Sequence, residues 1–447
     1  MHTFLGTALL AVFGTVQAQF VQPKDARARN LTVKHSPGDV TISFKEPHGV
    51  CKTALPTQKQ YSGWVDIPGD YPTNLFFYYV GARNSTDTLT VWFTGRPGAS
   101  SMYEFFVANG PCEVVERGLN EYETVAREWG WDRASNMLFI DQPNQVGFSY
   151  DTPTDGTLAM LNGSVIIPPV SDPDAIPAWG LLNGTFSSGN PKNTVNNTQS
   201  AAYAAWHVIQ RFYNDVPLDS PRSNASFGVN LFTSSYGGVY GPIFAETWEA
   251  QNKERNRLNG NIDPDSTVDL HIKSLGIVNG CIDLVTEEPQ YIHFATNNTY
   301  GVHPFSSNET QSFLDKIEAA DGCKALATRC GDDVSWVNTT HTENQRNIVC
   351  SRAVDKCNEM IIRWALKGKD RYDVAAPEYG AFPPVQFVDY LNQGNILDEI
   401  ESPVNFTLAN DMVFNQFRAT GDGARGGNIA RLAKLLQSGD SHRPDIR

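Results

Sequence analysis

The sequence predicts an α/β fold built on a mostly parallel central sheet, and three observations carry this. Short apolar runs recur along the chain, at Leu75–Val80, Leu89–Phe93, Met137–Ile140, Phe227–Phe232 and Leu275–Val278. Their length and their bulky residues suit strands buried on both faces. Helical candidates lie between them. In Ala201–Phe212, residues Ala202, Ala205, Trp206, Ile209 and Phe212 recur at three-to-four spacing, the stripe that a helix lays on a sheet. The third observation is the alternation itself, with no internal repeat or low-complexity tract, which is the pattern of a parallel sheet covered by helices. Pockets in such sheets open at the carboxyl ends of the strands.

The N-terminus reads as an address rather than structure. Residues 1–18 hold a short apolar core, Phe4 to Phe13, and end Val16-Gln17-Ala18, a small-x-small signal-peptidase site. The mature domain is then 19–447, secreted or vacuolar by way of the secretory pathway. Ten Asn-x-Ser/Thr sequons agree with that route: Asn30, Asn84, Asn162, Asn183, Asn196, Asn224, Asn297, Asn308, Asn338 and Asn405. The formal net charge of −14 excludes nucleic acid as a partner, which needs a basic face. No run after the leader approaches the roughly 18 apolar residues of a membrane span. Nothing in the sequence sets an oligomeric state.

The cysteines, Cys51, Cys112, Cys281, Cys323, Cys330, Cys350 and Cys357, are too widely spaced for a zinc site of CxxC type and are expected to pair in an oxidising compartment. Seven is odd, so one thiol is either free or without its partner. Cys323/Cys330 and Cys350/Cys357 are each seven apart, two turns on one helical face. That spacing staples two helices to each other or to the core. We therefore expect a helical insertion over the sheet at about 248–380, with helices at Ser312–Thr328 and Gln345–Leu366.

Ser235 lies in Thr233-Ser234-Ser235-Tyr236-Gly237-Gly238, directly after the run Phe227–Phe232 and ahead of a helix candidate, Val239–Trp248. A serine at the tip of a sharp strand-to-helix turn is how an α/β-hydrolase exposes its nucleophile. A histidine must take its proton, and a carboxylate must hold that histidine. No HExxH or other metal pattern exists, and no cofactor is implied.

Three stretches in order resemble the secreted serine carboxypeptidases of fungal type. Val91-Trp92-Phe93-Thr94-Gly95-Arg96-Pro97-Gly98-Ala99-Ser100-Ser101, followed by Asn109-Gly110-Pro111-Cys112, is similar to that family's W-x-N-G-G-P-G-x-S-S … N-G-P. Asn136–Tyr150 is similar to N-x-L-x-x-D-x-P-x-x-x-G-F-S-Y, and the Ser235 turn to G-E-S-Y-G-G. The resemblance implies an α/β-hydrolase fold and the removal of C-terminal residues from peptides through an acyl-enzyme on Ser235. It also implies an oxyanion hole from the amides of Tyr236 and Arg96, and a substrate-carboxylate clamp at Thr94, Ala108 and Ser234 beside Gly95.

Departures from the family pattern lower the expected activity. Arg96 stands where the family has glycine, bringing a cation into the oxyanion loop, or else a charge partner for the substrate carboxylate. Thr233 replaces the first glycine of the elbow and is expected to crowd it. Thr94, Ala108 and Ser234 stand in place of the family's asparagine and two glutamic acids, and so supply no carboxylate–carboxylic acid pair. After a helix at Asn428–Gln437 the tail Asp440–Arg447 is polar and broken by Pro444. It is not expected to form the next parallel strand, so the fold's last strands, and the family's Asp and His, are expected to be missing. The expected reading is a carboxypeptidase by descent, inactive as a 447-residue chain. The alternatives are a non-catalytic peptide-binding protein of the same fold and an acyltransferase.

Overall fold

The computed structural model describes residues 30–118, 121–159, 163–170, 180–218, 226–331, 343–359, 367–370, 372–377, 386–437 and 445–446. The expected leader and cleavage site, and 438–444 and 447 of the tail, lie outside the described residues.

One nine-stranded sheet organises the chain. It is built from β1 (Thr32–His35), β2 (Thr41–Lys45), β3 (Gln60–Asp66), β4 (Asn74–Val80), β5 (Leu89–Phe93), β8 (Asn136–Ile140), β12 (Ser226–Ser234), β13 (Asp269–Val278) and β14 (Asp445–Ile446). The spatial order is β1-β2-β3-β4-β8-β5-β12-β13-β14. The pairings up to β4–β8 are antiparallel, and those from β8 through β5, β12 and β13 to β14 are parallel. A hairpin of β6 (Cys112–Gly118) and β7 (Glu121–Ala126) stands apart, as does a small sheet of β9 (Thr154–Ala159), β10 (Ser164–Ile166) and β11 (Leu181–Phe186).

The continuous apolar runs are buried on both faces, as expected. Leu75, Phe77 and Tyr79 of β4 and Leu89, Val91 and Phe93 of β5 face one core. Phe76, Tyr78, Val80 and Trp92 face the other, by the two-residue period of a strand. The first core is covered by α2 (Thr198–Asp215) and α3 (Gly237–Arg255). The expected stripe of α2 is the buried one, with Phe212 against Phe77 and Tyr79 at ring distances of 5.5 and 5.2 Å. The second core is covered by α1 (Met102–Val107) and two short C-terminal helices described below.

The expected insertion starts later than 248. Trp248 is fully buried inside α3, and β13 pairs with β12, so both belong to the main fold. The helices off the sheet are α4 (Leu284–Thr296), α5 (Ser307–Glu318), α6 (Cys323–Gly331) and α7 (Glu343–Cys357). The helix expected over Ser312–Thr328 is two helices, broken before Gly322, where a Cβ would lie 2.2 Å from the carbonyl oxygen of Lys316. Disulfides Cys323–Cys357 and Cys330–Cys350 staple α6 to α7, and Cys51–Cys112 ties the N-terminal strands to β6. Cys281 is a free thiol.

The chain continues through α8 (Gln386–Leu391), α9 (Gly394–Ile400), α10 (Asp411–Thr420) and α11 (Asn428–Gln437). On α11, Leu432 and Leu435 pack on the core, while Ile429 and Leu436 are half exposed. The tail corrects an expectation: Asp445 and Ile446 pair in parallel with Ser274 and Leu275. Beyond Pro444 two residues of backbone N–H and C=O suffice for that register.

Among the sequons, Asn30, Asn84, Asn196, Asn297 and Asn308 are exposed and Asn183 is half-buried. Asn162, Asn224 and Asn338 lie outside the described residues. Asn405 contradicts the sequence reading. It is 1% exposed; its Oδ1 accepts from the Thr185 amide at 2.9 Å and its Nδ2 donates to Asn392 Oδ1 at 3.1 Å.

Candidate active site

Ser235 sits where β12 gives way to α3 at the carboxyl end of the parallel strands. It holds a φ of +55°, and Tyr236 at −57° already has helical backbone. Such a conformation is uncommon for a residue with a Cβ and is sustained only by its surroundings. Those are clear here. The Ser235 amide donates to the Val278 carbonyl at 2.9 Å, and its carbonyl accepts from Gly238 at 2.9 Å and Cys281 at 2.8 Å. The end of β13 thus clamps the elbow from both sides.

Thr233 does not crowd the turn as expected. It is buried, and its Oγ1 donates to the Gly237 carbonyl at 2.8 Å. The space exists because Gly237 has no side chain: a Cβ there would lie 2.4 Å from Thr233 Cβ. The bulk taken up by Thr233 is left free one helical turn on.

The loop after β5 meets the elbow at Gly95. A Cβ on Gly95 would come within 2.6 Å of Ser235 Cβ and 2.8 Å of the Tyr236 amide nitrogen, so only glycine permits this approach. Arg96 follows with a φ of +34°, keeping the left-handed backbone suited to the glycine it replaces. Its guanidinium lies on α10, with Nη2 2.5 Å from Asp411 Oδ1 and Cζ 4.9 Å above the Phe414 ring. The cation is therefore engaged with Asp411 rather than at Thr94 or Ser234.

A residue that the motif comparison missed lies between Thr94 and Ser234. These two continue the paired strands β5 and β12, whose last shared register is Phe93 with Thr233. Ser234 Oγ donates to Glu104 Oε1 at 2.9 Å, Thr94 Oγ1 donates to Glu104 Oε2, and the Gly95 amide donates to Ser234 Oγ at 3.2 Å. Glu104 is 8% exposed. Burial pushes its carboxyl up to about 7, against the lowering effect of the Ser234 hydrogen bond. Thr94, Ala108 and Ser234 bring no carboxyl group of their own, and the carboxyl that stands between Thr94 and Ser234 comes from Glu104. Ala108, at the position of one of the family's glutamic acids, is exposed and its amide caps α1 on the Glu104 carbonyl at 2.9 Å. The carboxylate stands four residues earlier, one turn up the same helix face, a displacement that only the helix makes visible.

Asp141 braces the loop from behind. It accepts from Ser100 Oγ at 2.6 Å, the Ser101 amide at 2.9 Å and the Phe148 amide at 3.0 Å. Burial raises its carboxyl to about 6, moderated by those bonds. Gly147, at φ +61°, leaves room for it, since a Cβ would lie 1.9 Å from Asp141 Oδ2. Among the described residues nothing hydrogen-bonds the Ser235 hydroxyl, which is exposed, and no cluster of His, Cys, Asp and Glu suited to a metal is present.

A serine on a strand-to-helix elbow, at the carboxyl ends of parallel strands, defines a protein of the α/β-hydrolase class. The comparisons give the family. The serine carboxypeptidase family model matches residues 49–167 and 180–436. Carboxypeptidase S1 homolog A of Arthroderma otae is 34% identical, over 98% of this chain and 69% of that protein. Carboxypeptidase S1 of Penicillium janthinellum is 28% identical, over 89% of this chain and 78% of that protein. A prohormone-processing carboxypeptidase from Saccharomyces cerevisiae shares the fold with a TM-score of 0.55 at 19% identity, over 90% of this chain and 75% of that one. The chain belongs to the serine carboxypeptidase family.

Proposed function

We propose that Ser235 marks a cleft that holds the C-terminal segment of a peptide, and that the 447-residue chain binds peptides there without cleaving them. The Ser235 side chain takes the position of the acylated nucleophile. The amides of Tyr236 and Arg96 are the pair directed at the substrate's carbonyl oxygen, and Thr94, Gly95, Ala108 and Ser234 border the end-group subsite. One observation carries the loss of turnover. The Ser235 hydroxyl is exposed and, among the described residues, has no histidine or carboxylate bonded to it. A serine hydroxyl attacks only when a base removes its proton, and acyl transfer from an ester would need the same base. The three disulfides and the exposed sequons support passage through the secretory pathway. Among the described residues no helix is long and apolar enough to cross a membrane.

The test uses the full chain with a serine-directed phosphonate and N-blocked dipeptides. The expected result is saturable dipeptide binding, no release of C-terminal amino acids and no labelling of Ser235. Labelling at the rate of a working serine carboxypeptidase would restore the hydrolytic reading, in which Ser235 forms an acyl-enzyme.

A further inference from the structure

We infer that the first sugars of an N-linked glycan on Asn308 fold back into a cleft of the helical insertion and form part of its packing. The inference is independent of the peptide cleft and rests on passage through the secretory pathway. Phe305, Asn308, Ser312, Phe313, Lys316 and Lys367 line the cleft, whose volume is about 380 Å³. Small-molecule sites span roughly 300–1,000 Å³. Asn308, Ser312 and Lys316 are four residues apart, so they stand in one row along α5, and all three are exposed. Below the row, Phe305 and Phe313 are buried and meet edge to face at 5.2 Å. Two ammonium groups stand by these rings. Lys316 Nζ lies 5.5 Å from the centre of Phe313 and Lys367 Nζ 5.9 Å from that of Phe305.

A sugar ring suits these walls. Its C–H face settles on aromatic carbon, whose π-cloud attracts the positive edge of a C–H bond. Its hydroxyl and acetamido oxygens accept hydrogen bonds. Each ammonium carries three donors; Lys316 directs one to Glu359 at 3.5 Å and Lys367 one to Glu309 at 2.7 Å, which leaves others for the sugar. Asn308 itself selects the occupant. It is the acceptor of the sequon Asn308-Glu309-Thr310, it forms part of the cleft wall, and among the described residues its side chain has no hydrogen bond. A glycan on its Nδ2 starts inside the cleft, so the contact is intramolecular and weak stacking suffices to populate it. The anchor is also fixed. Ser306 and Glu309 cap the first turn of α5 reciprocally, at 2.9 and 3.3 Å.

The experiment expresses the full chain through a eukaryotic secretory route and digests it, folded, with a peptide N-glycosidase, following each sequon by mass spectrometry. The comparison site is Asn84, exposed on the loop between β4 and β5. Asn308 is expected to lose its glycan about tenfold more slowly than Asn84, and the two rates should converge once the chain is reduced and denatured. Ser312→Tyr, made at an exposed position, fills the cleft and should bring the Asn308 rate in the folded chain close to that of Asn84. Asn308→Gln should lower the thermal midpoint, and Asn84→Gln should leave it unchanged. Equal rates at the two sites in the folded chain overturn the inference, as does a slow rate unmoved by Ser312→Tyr. Glycan on Asn84 and none on Asn308 overturns it and leaves the secretory route standing. No glycan on any sequon overturns both. Should Ser312→Tyr fail to fold, the thermal midpoints decide, and equal effects of Asn308→Gln and Asn84→Gln overturn the inference.

Discussion

The phenol of Tyr236 donates to Asp422 Oδ2 at 2.8 Å, and Asp422 in turn accepts from the backbone amide and the hydroxyl of Thr198. The residue that follows Ser235 is thereby fastened to the turn between α10 and α11 and to the first turn of α2. All three sites are remote in sequence, and Asp422 is 5% exposed. Burial raises its carboxyl, and the Thr198 and Tyr236 bonds oppose the rise.

Removing the phenol tests how far the elbow depends on this tie. Tyr236→Phe keeps the ring and deletes one hydrogen bond to an acidic group, while Thr198 still serves Asp422. The expected loss is about 1–2 kcal/mol in urea unfolding at fixed pH. Asp422→Ala strips the partner from two elements at once and should cost about 3 kcal/mol or more. A Tyr236→Phe protein as stable as the parent would show that the elbow is held by β13 alone.

The pairing of Thr233 with Gly237 gives a second prediction through non-additivity. Gly237→Ala places a methyl 2.4 Å from Thr233 Cβ and should destabilise by about 1–3 kcal/mol as overpacking. Adding Thr233→Gly removes the clash, so the double variant should be more stable than the sum of the single effects by about 1 kcal/mol or more. Simple additivity in the cycle would mean that the two side chains do not compete for one space.

Much of the fold was legible because its central strands are buried on both faces. Leu75–Val80 and Leu89–Phe93 are apolar without alternation, and nothing but a covered strand or a buried helix tolerates that. β1 was not legible for the opposite reason: all four of its residues are exposed, so no hydrophobic pattern marks it. The position of Ser235 was legible because the elbow requires small residues in fixed places. Its supports were not. Glu104 places a carboxyl between Thr94 and Ser234 from four residues before Ala108, Gly237 makes room for Thr233 four residues earlier, and Arg96 keeps a glycine-like backbone while its side chain leaves for Asp411. Each compensation runs through contacts that motif spacing does not encode.

The sequons separate by burial. Peptide mapping of protein expressed through a eukaryotic secretory route should find glycan on Asn30, Asn84, Asn196, Asn297 and Asn308 and none on Asn405. A sugar on Asn405 would break its bonds to Thr185 and Asn392 and would meet Gly184, where even a Cβ would lie 2.1 Å from Asn405 Oδ1. Full occupancy at Asn405 in folded protein would contradict the packing of that turn.

Stability should peak in mildly acid solution, and the sign follows from three buried carboxyls. Burial raises Glu104 from 4.5 to about 7, Asp141 from 3.8 to about 6 and Glu288 from 4.5 to about 8, the last helped by Glu287. Each has a folded pKa above its unfolded value, so the folded chain holds more protons than the unfolded chain between those limits. Their contribution is fully present below about pH 4 and is lost as pH rises through 6, 7 and 8. Asp151 and Glu246 act in the opposite sense. Burial raises both, but Ser188, Ser187 and Asn193 on Asp151, and Arg431 and Lys434 on Glu246, outweigh it and lower them. Their contribution is lost as pH falls below about 4. The urea midpoint should therefore be highest near pH 4 and fall toward pH 8, each buried carboxyl costing on the order of 1–3 kcal/mol across its range. Glu104→Gln removes one of the three and should flatten the decline through pH 7. A midpoint that rises from pH 5 to pH 8 would mean that these carboxyls are ionised and paired in the folded chain.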